Sequence, residues 1–424
     1  MVQIKLFIFG LISIVFLQVN VSAAKKDSTF SVGDYLIAQI SSQANDYNAA
    51  NIYYLNLLKK DKKNINLYLK IIKNNLLNNK IEEANKYYIK LKKIGCNNSN
   101  LECINFLESI GPLVNGIVDL KNNRNNKALK AFSKIRNFEE NELYAGLLKA
   151  WSLANFYTFK QSIETLDGIR SESNSNEIIM HKALIYDLVN EVELAEIFYE
   201  QALINRQEVS LINYYLNFLH RNNKNKKKEQ FLQKLYADSN YQISINNNIL
   251  LDTRLIESQS NGVGLVLYEA SQQLGFEDMK LSRSILNIAN YSYPNLHEVG
   301  FLSASLLYSL EFSEEAIRLY KAIPHNHYLS SLAVIQLASL LNLNNEEDEA
   351  IKALKDYLKV KNNFKVKMTL GDHYRYKSDW ENAQKTYTQI IENEKYALDP
   401  NLWNTFYRRG IAYERNKQMD LAEK

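Results

Sequence analysis

The chain has 424 residues, with 51 Lys and Arg against 47 Asp and Glu, giving a formal net charge of +4 at pH 7. A surface so balanced excludes the one-sided basic footprint of a nucleic-acid binder. With only 4 Pro and 13 Gly and no alternating Val/Thr runs between turn signals, strands have few places to form, and an almost wholly helical chain is expected.

At the N-terminus, Met1 to Lys5 is short and basic, Leu6 to Val19 is apolar, and Val21–Ser22–Ala23–Ala24 supplies the small residues that a signal peptidase accommodates. Residues 1–24 therefore read as a secretory signal. The apolar run is about 14 residues, short of the ~20 of a membrane-spanning helix, which makes an uncleaved anchor the competing reading. No cysteine follows the signal to carry a lipid, so a soluble exported chain, most simply periplasmic, is expected. The two cysteines, Cys96 and Cys103, flank a polar loop. In an oxidising compartment they could close it as a disulfide, the alternatives being two inert thiols or a metal site lacking its other ligands.

From residue 31 onward a small residue recurs after a turn: Ala50, Ala84, Ala128, Ser162, Ala195, Lys228, Ser282, Ala316, Ala350, Ala383 and Ala422. Most steps are 33 or 34 residues, and Lys228 and Ser282 mark the poorest units. An aromatic often follows four residues later, as in Tyr54, Tyr88, Phe132, Tyr199, Tyr320 and Tyr387. A small residue lets two helices cross closely while the aromatic fills the space beside the crossing. Acidic or Asn residues at the turns, as in Asn45–Asp46, Glu314–Glu315 and Asp379, suit the N-terminus of the second helix, where free N–H groups and the helix dipole favour acceptors. Asn is frequent but dispersed, which matches an AT-rich coding sequence better than a prion-like tract.

This pattern, clearest at Leu370, Gly371, Tyr374, Ala383 and Tyr387, resembles the tetratricopeptide repeat. The resemblance implies an all-α, right-handed α-solenoid of antiparallel helix pairs, about eleven units long. One array would span 31–236, an insertion or diverged unit 237–262, and a second array 263–424, its last unit incomplete at Lys424. The stretch from Gly95 to Pro112, with both cysteines and the Gly111–Pro112 pair, reads as a looped-out connector. The signal, Gly33–Asp34–Tyr35, the turn at Glu311–Ala316 and the run Tyr407–Arg415 also resemble exported tetratricopeptide proteins of alphaproteobacteria.

No glycine-rich phosphate loop, Gly-x-Ser-x-Gly elbow or His-Glu-x-x-His helix is present, so neither catalysis nor a cofactor is expected. His297, His325 and His327 could approach one another and hold a transition metal, against the simpler reading of exposed loop histidines. The charge run Lys224–Lys228 reads as a solvated turn and helix start. First helices of such units line a concave groove, so the candidate partner-binding residues are Tyr144, Leu147, Trp151, Lys365, Asp372, Arg375, Tyr376, Asn404, Glu414 and Arg415. Trp151 could instead pack between helices. The function expected is an exported scaffold that binds a protein or peptide, not nucleic acid, in cell-envelope assembly or maintenance. The alternatives are a regulatory or targeting array of a longer protein with an enzymatic domain after Lys424, and a structural homo-oligomerising solenoid.

Overall fold

A computed structural model describes residues 31–136, 142–169, 175–205, 208–237, 254–274, 278–393 and 402–423. The signal at 1–24 and most of the expected insertion, 238–253, lie outside them. Among the described residues the regular structure is all helical. In chain order the helices are α1 (Val32–Gln43), α2 (Tyr47–Lys60), α3 (Ile65–Leu77), α4 (Ile81–Ile94), α5 (Leu101–Glu108), α6 (Ile110–Lys121), α7 (Asn125–Phe132) and α8 (Glu142–Leu153). They continue as α9 (Phe159–Asp167), α10 (Ser175–Leu188), α11 (Val192–Asn205), α12 (Val209–Arg221), α13 (Asn225–Ala237), α14 (Gln259–Leu274) and α15 (Met279–Ser292). The last are α16 (His297–Ser309), α17 (Ser313–Lys321), α18 (Ser330–Leu343), α19 (Glu347–Val360), α20 (Phe364–Tyr376), α21 (Trp380–Ile391), α22 (Leu402–Arg415) and α23 (Met419–Ala422).

Apart from α5, these helices pack as successive antiparallel pairs, from α1 with α2 to α22 with α23, and each small anchor of the repeat lies in the second helix of its pair. The chain is an α-solenoid. Ala50, Ala84, Ala128, Ser162, Ala195, Ala316, Ala350 and Ala383 are fully buried. Gly371 explains the spacing: a Cβ there would stand 2.5 Å from the ring of Tyr387, itself fully buried. Only a residue without a side chain lets that ring lie flat on the first helix.

The turns have a shared backbone device. Asn45, Asn79, Asn123, Asn190, Asn223, Glu311, Asn345, Ser378 and Lys417 all have positive φ, and each stands five residues before its unit's anchor. The following N–H closes the first helix, as in Lys80 N to Asn75 O and Glu346 N to Leu341 O, both 2.8 Å. This is the left-handed helix termination that Asn adopts at least cost after Gly. The second helix then starts on a capping carboxylate in two of the expected places: Asp46 accepts from Ala49 N at 3.0 Å and Asp379 from Asn382 N at 3.2 Å.

The connector expected at Gly95–Pro112 is structured. It forms α5, and Pro112 is the third residue of α6, in a first turn whose N–H groups have no intrahelical partner to lose. Cys96 and Cys103 form a disulfide, Cα to Cα 5.8 Å, that ties α5 to the end of α4.

One buried apolar cluster runs from Ala38 to Leu306. Beyond it come two smaller ones, from Ala304 to Leu370 and from Phe364 to Ala412. The first is continuous because α14 and α15 leave nearest-neighbour order: α14 packs on α8 and α6, and α15 on α3.

Candidate partner-binding surfaces

The first helices of the N-terminal pairs present one face to the inside of the solenoid. On α8 that face carries Tyr144, Leu147 and Trp151, all buried, with Trp151 and Leu147 fully so. Their cover is α14. Gly262 sits so close to the indole that a Cβ would stand 2.1 Å from two of its ring carbons. The Trp151 Nε1–H donates to His181 Nδ1 at 3.0 Å, and His181 Nε2, which therefore carries the proton, lies 2.9 Å from Glu269 Oε2 on α14. A fully buried imidazole thus links three helices, α8, α10 and α14.

Polar contacts extend this seam. Gln259 donates to Ser152 O at 2.8 Å and accepts from Asn125 at 2.8 Å. Asn287 on α15 donates to Leu76 O at 2.8 Å, where α3 ends, and Tyr291 OH donates to Glu82 at 2.9 Å. Arg283 bonds Glu315 at 3.2 Å and lies over the rings of Tyr47 and Phe312. The groove along α3, α6 and α8 is filled by α14 and α15 of the chain itself, whereas on α1 Val32, Leu36 and Ile40 stay exposed. Tyr144, Leu147 and Trp151, expected to line a groove open to a partner, are buried core residues under α14.

In the C-terminal pairs the equivalent face is more open, although Met368, at the position of Leu147, and Glu298, at the position of Tyr144, are buried. Tyr376, at the end of α20, is 71% exposed, Tyr407 on α22 is exposed, and so are Leu332 and Leu343 on α18 and Tyr308 on α16. Among the expected groove residues, Lys365, Glu414 and Arg415 are exposed and Arg375 is half-buried beside the Tyr376 ring. Asp372 corrects the expectation. It accepts from Tyr387 OH at 2.8 Å, forms an ion pair with Arg408, and lies 3.5 Å from Arg375. That carboxylate joins α20, α21 and α22, and burial with Asp372 beside it drives the Tyr387 phenol well above its ordinary range. Asn404 likewise holds Arg408, accepting from its Nε at 3.0 Å.

Two features were not anticipated from the sequence. His373 is buried on α20 and its Nδ1 lies 2.8 Å from Glu347 Oε1. In the run Lys224–Lys228, Lys224 and Lys227 pair with Glu196, and Lys227 also with Glu200, across to α11. The histidine trio comes together only in part. His297 and His327 stack edge to face at 5.2 Å, while His325 turns to Tyr357. Among the described residues no group of three or more His, Cys, Asp or Glu could hold a metal, and no helix is long and apolar enough to cross a membrane.

Solved structures similar to this chain include the Naa15/Naa10 complex bound to HypK-THB, at 14% identity, covering 93% of this chain and 67% of that one with a TM-score of 0.26. Another is the TPR domain of P58(IPK), at 14% identity, 91% and 98% coverage and a TM-score of 0.24. A third is the APC/C hetero-tetramer Cut9–Hcn1, at 12% identity, 92% and 85% coverage and a TM-score of 0.29. No family model and no curated protein matches the chain. With overlaps this low, the solenoid is established by the helix pairing above and not by the likeness.

Proposed function

We propose that the chain is a tetratricopeptide-type scaffold, without catalysis of its own, that binds a peptide segment of a protein partner on the inner face of α18, α20 and α22. The observation that carries this reading is the contrast in cover: the same face is filled by α14 and α15 along α3, α6 and α8 and left bare around Tyr376. Lys365, Arg375 and Arg415 lie on it with exposed tyrosines, a combination that suits a segment with carboxylate and apolar side chains. The pattern of residues 1–24 and the disulfide support an exported scaffold, and we infer a role in assembling or maintaining the cell envelope.

The test is capture from envelope extract with the wild-type chain and with the double variant Arg375→Ala, Tyr376→Ala. Loss of the captured protein by about tenfold or more, with helical content by circular dichroism unchanged, is the expected result. Equal recovery by the double variant rejects the site. Export is checked separately by sequencing the N-terminus of the mature chain, which should begin after Ala23 or Ala24.

A further inference from the structure

A second site lies at the seam between the two regions, away from the exposed face of α20. Between α12, the segment 254–261 and the start of α16 there is a cleft of about 470 Å³, and a smaller one of about 180 Å³ adjoins it. Ser210, Tyr214, Leu296, Glu298 and Tyr328 line both, so they share a wall. The larger volume falls in the range of small-molecule sites.

The lining has a consistent chemistry. Glu257 and Glu298 face the larger cleft, and Glu208 and Glu269 the smaller. The guanidinium present, Arg254, is ion-paired with Asp187, 3.4 Å from its Nε, which makes no hydrogen bond among the described residues, and its other nitrogens donate to Leu188 O at 3.2 Å and Asn190 Oδ1 at 2.5 Å. Burial first, then the neighbouring His297 and Lys361, holds His327 down at about 4, so at neutral pH its imidazole adds no positive charge. Tyr214, Tyr293 and Tyr328 line the larger cleft and Tyr268 the smaller.

An independent observation points to a missing donor. Asn213, on the cleft wall and only 5% exposed, has a side-chain Oδ1 with no hydrogen-bond partner among the described residues. An unmet buried acceptor costs about 1–3 kcal/mol, which a ligand N–H would recover once the amide turns toward the cleft, since Oδ1 is closed to solvent as it stands. Glu298, also buried, accepts from Tyr328 OH at 2.9 Å and from its own backbone N–H, and retains further acceptor capacity. A bare metal ion does not fit, since no group of metal-holding residues converges among the described residues. Tyrosine faces beside carboxylates favour a cation with a carbon body.

We propose that this cleft binds a small organic ammonium ion, a primary amine whose N–H groups go to the Glu298 carboxylate and Asn213 Oδ1 while its carbon chain lies among the tyrosine rings. The experiment is calorimetric titration of the whole chain with n-butylamine and 1,4-diaminobutane, against butyrate, n-butanol and calcium chloride. Saturable one-to-one binding of the amines alone is expected. Glu298→Gln, which keeps an acceptor for Tyr328, and Asn213→Leu should each weaken it by about tenfold or more. Unchanged circular dichroism and thermal midpoints in both variants tie that loss to the site. The proposal is overturned if neither amine saturates, if butyrate or calcium binds as well as butylamine, or if both folded variants bind like the wild type.

Discussion

Trp151 on α8 and Asp372 on α20 each stand eleven residues before the small anchor of their own unit, Ser162 and Ala383, yet one is an indole sealed under α14 and the other a carboxylate pairing with Arg408. The same holds one helical level away, where Tyr144 corresponds to Lys365: the first is buried, the second exposed. The repeat thus fixes where a side chain points without fixing what it meets. Along α3, α6 and α8 the inner face is apolar and has been given a cover from the same chain. In the C-terminal region it is polar and aromatic, its core divided into smaller clusters, as expected when each unit packs on its immediate neighbours.

The comparison breaks most sharply at Trp151. Trp151→Ala should cost about 3–5 kcal/mol in urea unfolding, the usual effect of removing a buried indole from a close-packed site. A loss below about 1 kcal/mol would mean that α14 does not depend on α8. Next is His181→Leu, which leaves the Trp151 N–H and the Glu269 carboxylate without their shared partner; a cost of about 1–3 kcal/mol is expected, measured the same way.

The seam should also respond to acid. Because the folded pKa of His327 is lowered from its ordinary 6.5 to about 4, the unfolded chain takes up that proton first. Its contribution to stability is full above pH 6.5 and is lost as pH falls toward 4. His297 is lowered by burial in the same direction, whereas Glu298, raised chiefly by burial, contributes in the opposite sense on acidification. His327→Gln should therefore lose less stability than the wild type between pH 7 and pH 4, by about 2–3 kcal/mol; parallel pH curves would remove His327 from the account. Smallest is Tyr376→Ala. On an exposed helix end it should change unfolding by no more than about 0.5 kcal/mol while weakening partner capture, and a large loss of stability would make that face core after all.

The pairing of helices was legible in the sequence because the small anchor and the aromatic after it report contacts within a unit and with its neighbour. The seat of α14 was not, since nothing about Gly262 names a partner on α8 more than a hundred residues earlier. A signal was nevertheless present. In the units anchored at Ala128 and Ser162 the three groove positions are Ile110, Leu113 and Ile117, then Tyr144, Leu147 and Trp151, apolar throughout. A groove facing water has no use for six such residues. Asn was the other missed sign: its recurrence five residues before the anchors marks left-handed turns and not merely codon composition. At the candidate site, Tyr376 and Arg375 could be placed by register, but the engagement of Asp372 with Arg408 required the geometry across two units.

The bond from Asn287 to the end of α3 spans 211 residues, and it changes what kind of folding reaction this chain undergoes. An ordinary solenoid can nucleate anywhere and grow from neighbour to neighbour with little loop-closure cost. Here the first eight helices cannot complete their interior until residues near 290 have emerged and returned. Folding should therefore show a slow, late phase typical of distant contacts, with an apolar groove held open until that phase is over.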